Sequence, residues 1–295
     1  MKYKKLILSY YSLIKYLIKL KKVKNNVGLS SNLINNLKSL KISKNSDVVY
    51  ILGGGCSILE FNNDEWSFIK KQCSFGINNW IIHNHIPDVY IFEMHRKNES
   101  HLNYKFVENL KQKSKLYSKS IVILKDLEKI YPDFELMNKL RKTFNLFFIP
   151  CMLTFDIFGL EFWNKRFPFI FYCINKFKFD VVFQQRITIS FAIDLARQAG
   201  FKKIVLCGVD LNSTKYFWED EMSKKFLDEN VYIEDSQQKG DIHSTVNPTV
   251  NLITADKVIL NMAKWYHENL NIEILISSQN SILYPKLPLY KFPKK

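Results

Sequence analysis

The stretch QQRITISFAIDLARQAGFKKIVLCGVDL, Gln184 to Leu211, decides the fold. It predicts a loop, a helix and a buried strand in that order. A polar start (Gln184, Gln185, Arg186, Thr188) leads into Ile189, Ala192, Ile193, Leu195, Ala196 and Ala199, which recur at helical spacing. Gly200 stands where a helix ends in the left-handed conformation that glycine adopts without steric cost. Ile204-Val205-Leu206-Cys207 then forms an unbroken apolar run, the pattern of a parallel strand covered on both faces. That strand ends in Gly208-Val209-Asp210. Ligands of open α/β sheets sit at the carboxyl ends of strands. Gly208 and Asp210 are therefore expected to line a site, with Gln185, Arg186 and Thr188 beside it.

Upstream, the same strand-then-polar-turn pattern recurs. Val48–Leu52 is a first strand followed by Gly53-Gly54-Gly55-Cys56-Ser57. A glycine turn in that place lets backbone N–H groups approach a phosphate. It is neither G-x-G-x-x-G, since Ile58 takes the last position, nor a P-loop, since no Gly-Lys-Ser/Thr follows. A second strand, 74–77, ends in Asn78 and Asn79, whose carboxamides can read a base or a sugar by donor–acceptor pairing. A third, 88–92, ends in Glu93. Strands are also expected at 121–124 and 146–149, with a polar helical stretch over 96–120. Between Phe155 and Phe183 lies a dense aromatic block, read as core or as a face toward an acceptor or a membrane.

Downstream, residues 212–240 lack a strong period and lead to Asp241-Ile242-His243-Ser244; a polar segment of that length is expected to be a lid. A helix follows with Ala255, Val258, Ile259, Met262 and Trp265 on one face, then a last strand at 272–276. The tail from Tyr284 reads as irregular. The expected fold is therefore α/β: a single Rossmann-like domain over 47–295 with a mostly parallel sheet and a lid near 212–242.

The net charge of +15 suggests nucleic acid until its distribution is considered. Residues 1–46 hold eleven lysines and no acid, which leaves only +4 for the body. Over 3–22, Leu6, Tyr10, Leu13, Leu17 and Leu20 share one helical face while Lys4, Lys15, Lys19 and Lys22 lie opposite. The longest uncharged run is shorter than the ~20 residues that span a bilayer, and no small-residue cleavage site follows it. The pattern fits an amphipathic helix on an anionic membrane surface, the cytoplasmic face of an inner membrane, better than a nucleic-acid partner. Five scattered cysteines without a C-x-x-C pair suit a reducing compartment and no disulfide framework. His83, His85 and His95 do not match a zinc-site spacing, and no metal is expected.

Taken together, L-G-G-G-C-S-I, I-N-N-W, Q-Q-R-I-T…C-G-V-D-L, D-I-H-S and S-S-Q-N-S-I-L resemble, in order, the motifs of the bacterial lipooligosaccharide sialyltransferases of glycosyltransferase family 42. The likeness runs from Asp47 to about Leu283, and the Q-R-I-T to G-V-D run is its most specific part. It implies an inverting, metal-independent transferase without a cofactor, whose substrate is CMP-activated sialic acid or a related nonulosonic acid. The acceptor would be a glycan or glycolipid of the cell surface; a homo-oligomer is compatible with it.

By matching position, His243 would be the general base, Tyr216 would meet the departing phosphate, and Arg186 is the arginine of the central run. Gly54, Gly55, Asn78, Asn79, Thr188, Ser190, Gly208, Val209, Asp210 and Asn212 fall on donor-pocket positions. Four departures stand out. Asn212 replaces a phosphate tyrosine, Gly54 replaces the asparagine of the glycine loop, Ile189 replaces a serine with Ser190 one residue late, and Glu93 falls near an asparagine position, where a carboxylate would repel an anionic donor. A second resemblance, to archaeal pterin diphosphokinases and motility-accessory proteins, rests on Pro87-Asp88. It would require Mg²⁺ held by Asp88, Glu93 and Asp210.

Deleting residues 1–22 is expected to spare activity on a soluble acceptor and to reduce sedimentation with anionic liposomes. Unchanged sedimentation would remove the membrane role.

Overall fold

The structure, a computed structural model, describes residues 40, 42, 45–93, 100–126, 140, 142–153, 182–227, 243–249 and 253–293. The amphipathic segment over 3–22, His95, Asp241 and Ile242, most of the aromatic block and the later part of the expected lid lie outside the described residues.

Eight strands form one sheet: β1 (Val48–Leu52), β2 (Cys73–Ile77), β3 (Val89–Glu93), β4 (Ile121–Asp126), β5 (Asn145–Leu153), β6 (Val182–Gln184), β7 (Lys203–Cys207) and β8 (Glu273–Ile276). Their order is β6-β5-β4-β3-β2-β1-β7-β8, and every pairing is parallel. β6 was not anticipated: Val182 and Phe183 close the aromatic block, and a three-residue strand leaves no alternation to read.

Successive residues of a strand point to opposite faces, and both faces are covered. Tyr50, Leu52, Tyr90, Phe92, Val122 and Leu124 pack with α1 (Asn63–Ile69), α2 (Ser100–Gln112) and α3 (Ser114–Tyr117). Val49, Ile51, Phe75, Val89, Ile91 and Ile204 pack with α4 (Thr188–Gln198) and α5 (Ala255–Leu270). The near-continuous apolar strands of the sequence are the result of this double cover.

α4 stops as its sequence predicts. Gly200 takes φ +87°, its N–H donates to Arg197 O (2.9 Å), and Phe201 N–H reaches Ala196 O (3.1 Å). These bonds satisfy carbonyls that the helix end would otherwise orphan. At the other edges the body is larger than expected. Leu40 and Ile42 pack against the core, and Ser46 Oγ donates to Gln72 Oε1 (2.7 Å). The tail is irregular but not loose: Leu289 bridges to Ile276, and the Tyr290 hydroxyl meets that of Tyr50 at 2.7 Å.

Asp194, fully buried in α4, joins three elements. It accepts from Phe183 N (2.8 Å) in β6, Tyr266 Oη (2.7 Å) in α5, and Arg197 Nε (2.6 Å) and Gln198 Nε2 (2.8 Å) in its own helix. Removing one member of a buried ion pair costs ~3–5 kcal/mol, because the partner stays buried and uncompensated. Asp194→Ala is therefore expected to lower unfolding stability by about that amount in urea titration. A loss within experimental error would show that the network is not holding α4 to the sheet.

Candidate active site

The strand order turns at β1, with β2 on one side and β7 on the other. A crevice opens at the carboxyl end of such a switch point. Here it is framed by Gly53-Gly54-Gly55 after β1 and Gly208-Val209-Asp210 after β7. The two turns are fused: Gly53 N–H donates to Cys207 O (2.7 Å) and Gly55 N–H to Gly208 O (2.8 Å). A Cβ on Gly53 would stand 2.5 Å from Gly208 O, and Gly208 itself has φ +64°. The first role of the glycines is this close backbone approach, and the N–H groups of Gly53 and Gly55 point into the joint rather than toward a phosphate.

Asp210, 8% exposed, is part of the same joint. Its carboxylate accepts from Ser57 N (2.9 Å) and Ser57 Oγ (2.5 Å). Burial pushes its carboxyl above the usual range, against the two Ser57 bonds that lower it. Val209 is buried in the core, and its carbonyl accepts from Ser281 Oγ (2.7 Å). Asn212 donates to Asn280 O, and Asn280 Nδ2 donates to Glu60 Oε1 (2.5 Å). The loop after β8 thus braces both turns.

The described part of the expected lid is a packed cover. Its 3-10 turns, Phe217–Glu219 and Glu221–Phe226, bury Phe217 and Trp218. Phe217 N–H donates to Gly54 O (2.9 Å), which ties the cover to the glycine turn. Tyr216 stacks on Trp218 (4.4 Å, 6°), and a Cβ on Gly54 would lie 2.9 Å from the Trp218 ring and 3.1 Å from Tyr216 Cδ1. The Tyr216 hydroxyl faces His243 Nε2 at 3.3 Å, while His243 Nδ1 lies 2.8 Å from Thr245 Oγ1. Burial pushes the His243 pKa below the ordinary 6.5. His243 and Tyr216, 27 residues apart, are thus brought together above the glycine turn.

A second polar group occupies the carboxyl ends of β2, β3 and β4. Thr188 Oγ1 donates to Glu93 Oε2 (2.7 Å) and accepts from Lys125 Nζ (3.1 Å) and Asn78 Nδ2 (3.3 Å). One proton and two lone pairs are all that a hydroxyl offers, so Thr188 is fully engaged as a hub. Lys125, 0% exposed, is ion-paired with Glu93. The negative charge expected at Glu93 is therefore offset by Lys125, a residue the sequence reading missed. Its one signal is a lysine closing the apolar run Ile121–Leu124, in a strand covered on both faces.

The other expected site residues are placed as follows. Asn78 has φ +49°, and its carbonyl accepts from the Tyr90 hydroxyl; Asn79 is exposed beside it. Ser190, fully buried, accepts from Gln185 N (2.9 Å) and shares its one proton between the carbonyls of Gln185 (2.8 Å) and Ile187 (2.7 Å), and so closes the loop before α4 from inside. Arg186, with φ +65°, donates from Nε to Ile253 O (3.1 Å), just before α5.

The acid trio of the diphosphokinase reading is not assembled. Asp88 lies just before β3, accepting from Ser74 N (2.8 Å), while Glu93 closes the same strand. Five residues of strand separate them by about 16 Å. Among the described residues no group of three or more His, Cys, Asp or Glu is gathered as metal ligands would be. His83 is stacked between Trp80 (4.4 Å) and Phe226 (5.4 Å).

Fold and site define a doubly wound parallel α/β domain with a histidine–tyrosine pair over a glycine turn at the switch point. Solved structures similar to this chain are sialyltransferases. They include the monofunctional α-2,3-sialyltransferase Cst-I from Campylobacter jejuni (16% identity, TM-score 0.48, covering 85% of this chain and 82% of that one). An α-2,3-sialyltransferase from the same organism in apo form follows (16%, 0.46, 87% and 84%), as does CstII in complex with CMP (14%, 0.41, 82% and 84%). No protein-family model and no curated protein sequence matches the chain.

Gly54→Ala is expected to displace the Tyr216–Trp218 stack at about 1–3 kcal/mol of stability, the cost of overpacking. With it, turnover should fall by about tenfold or more through misplacement of the pair. Denaturant titration and rate measurement check both; a variant of normal rate would show that the stack does not set the pair's position.

Proposed function

We propose that this protein is a glycosyltransferase that moves sialic acid or a related nonulosonic acid from a CMP-activated donor to a hydroxyl of a cell-surface glycan. The observation that carries this reading is the His243 Nε2–Tyr216 Oη pair, 3.3 Å apart above the glycine turn at the switch point. The sequence motifs supply the identity of the donor.

The reaction is a single inverting displacement. The acceptor hydroxyl oxygen bonds to the anomeric carbon as the bond from that carbon to the CMP phosphate oxygen breaks. His243 takes the hydroxyl proton, and CMP departs with the bonding pair. The tautomer that performs this carries its proton on Nδ1, facing Thr245 Oγ1 at 2.8 Å, and presents the Nε2 lone pair; the longer Thr245 N–H contact to Nδ1, 3.4 Å, is given up in it. At rest that lone pair receives the Tyr216 hydroxyl. When an acceptor hydroxyl takes its place, the Tyr216 proton is released toward the departing phosphate, where charge develops. Arg186 Nε holds the carbonyl of Ile253, two residues before α5. No step in this scheme calls for a metal ion. The basic segment over 3–22 would hold the enzyme on the cytoplasmic face of the inner membrane, next to lipid-linked acceptors.

His243→Ala is expected to abolish transfer while CMP still raises the melting temperature, and that rise should survive EDTA. Retained turnover would remove the general-base role. A shift seen only with ATP and Mg²⁺ would overturn the donor assignment. Because burial lowers the His243 pKa, its neutral, proton-accepting form persists below pH 6.5. The rate should therefore fall on the acid side with a midpoint under 6.5, and a midpoint above 6.5 would point to another base.

A further inference from the structure

Because every strand pairing is parallel, all strands begin at one edge of the sheet and the crevice lies at the other. The starting edge is lined with lysine. The first residue of each described strand and the three before it hold Lys70 and Lys71 at β2, Lys119 at β4, Lys142 at β5, and Lys202 and Lys203 at β7, all exposed. The acids in the same described positions are Asp47, Asp88 and Glu273. Asp88 accepts from Ser74 N (2.8 Å), and Glu273 faces Lys203 at 3.7 Å. From β5 to β7 the lysines cover five strand spacings, about 24 Å.

Lysine is common throughout this chain, so its placement matters here and not its number. At the crevice edge Lys125 is paired with Glu93, and Lys215 with Asp220 (2.8 Å). At the starting edge, among the described residues, Lys203 alone of the six stands within 4.0 Å of a carboxylate. Two further features belong to this edge. Leu116, 57% exposed, projects between Lys115 and Lys119 on the short helix α3 that leads into β4. An apolar side chain among lysines is the composition that enters the headgroup boundary of a bilayer. The lysine-rich segment 1–46 also joins the body here: Asn45 Nδ2 donates to Lys71 O (3.3 Å), beside the Ser46–Gln72 bond.

We infer that the starting edge of the sheet is a docking face for an anionic bilayer, on which the body rests with its crevice turned away. This goes beyond the membrane role given to residues 3–22, because the folded body makes a contact of its own and that contact fixes its orientation. Attraction to anionic lipid falls off within a Debye length, ~8 Å in physiological salt. Strands of five residues place the crevice about 16 Å beyond the edge. For the proposed transfer this favours acceptors that extend from the surface over sugars at headgroup level. That consequence rests on the transferase reading; the docking face does not.

The test is sedimentation of the full chain with phosphatidylglycerol–phosphatidylcholine vesicles, at the salt concentration where half of the parent sediments. Lys70→Gln, Lys71→Gln, Lys119→Gln and Lys142→Gln together should weaken vesicle binding by about tenfold or more. Exposed substitutions of this kind leave folding intact, which the melting temperature checks. Lys224→Gln, Lys257→Gln, Lys286→Gln and Lys291→Gln together remove the same charge from the cover, α5 and the tail, and should change binding by less than about threefold. Vesicles carrying brominated lipid should quench the added fluorescence of Leu116→Trp and spare that of Met222→Trp on the cover, where Met222 is 64% exposed. Equal losses in the two lysine sets would show that net charge acts without a face, and would overturn the inference. So would an unchanged edge variant, stronger quenching at position 222, or a parent that binds duplex DNA and leaves the vesicles in solution.

Discussion

Two backbone bonds hold the rest of the molecule to its plan: Gly53 N–H to Cys207 O and Gly55 N–H to Gly208 O. They join the first strand to the seventh, which are 150 residues apart in sequence, where the sheet reverses its direction of growth. The joint tolerates no side chain, since a Cβ on Gly55 would stand 2.4 Å from the Asp210 carboxylate. Once it closes, Ser57 is in reach of Asp210, Gly54 O is in reach of Phe217 N–H, and the Tyr216–Trp218 stack has a flat surface to rest on. The histidine–tyrosine pair follows from a packing constraint two steps removed from its chemistry.

The fold was legible because most strands are buried on both faces and announce themselves as apolar runs ending in Gly, Asn or Asp. α4 was legible to its last turn, since the stripe from Ile189 to Ala199 and the glycine at 200 agree. β6 was not, because three residues inside an aromatic block have no period of their own. The tail was read as irregular, and it is. Its packing was not legible: Tyr290 and Phe292 stand among prolines and lysines in sequence, yet their rings lie against Tyr50 and Phe61.

The candidate site was legible where a side chain's role depends on its own strand end. It was illegible where the role depends on a neighbour. Asp210 and Ser190 were expected to face a ligand; in the structure the Asp210 carboxylate accepts from Ser57, and the Ser190 hydroxyl serves the N–H and carbonyl groups of the turn before α4, which must find partners once buried. Glu93 was judged alone and so judged repulsive. Only the register of β3 against β4 brings Lys125 opposite it, and register between residues 32 apart in sequence is not a local property of sequence.

The brace at the β7–β8 end has a consequence for how such a protein can change over time. Glu60, Ser278, Asn280 and Asn212 are linked by hydrogen bonds, and Ser281 holds Val209 O beside them, so altering Glu60 or Ser278 leaves partners without a bond. Descendants of this chain should drift little there, because an improvement would require several replacements at once. On this ground the β8 end of the crevice should tolerate less change than the strands on the far side of β1.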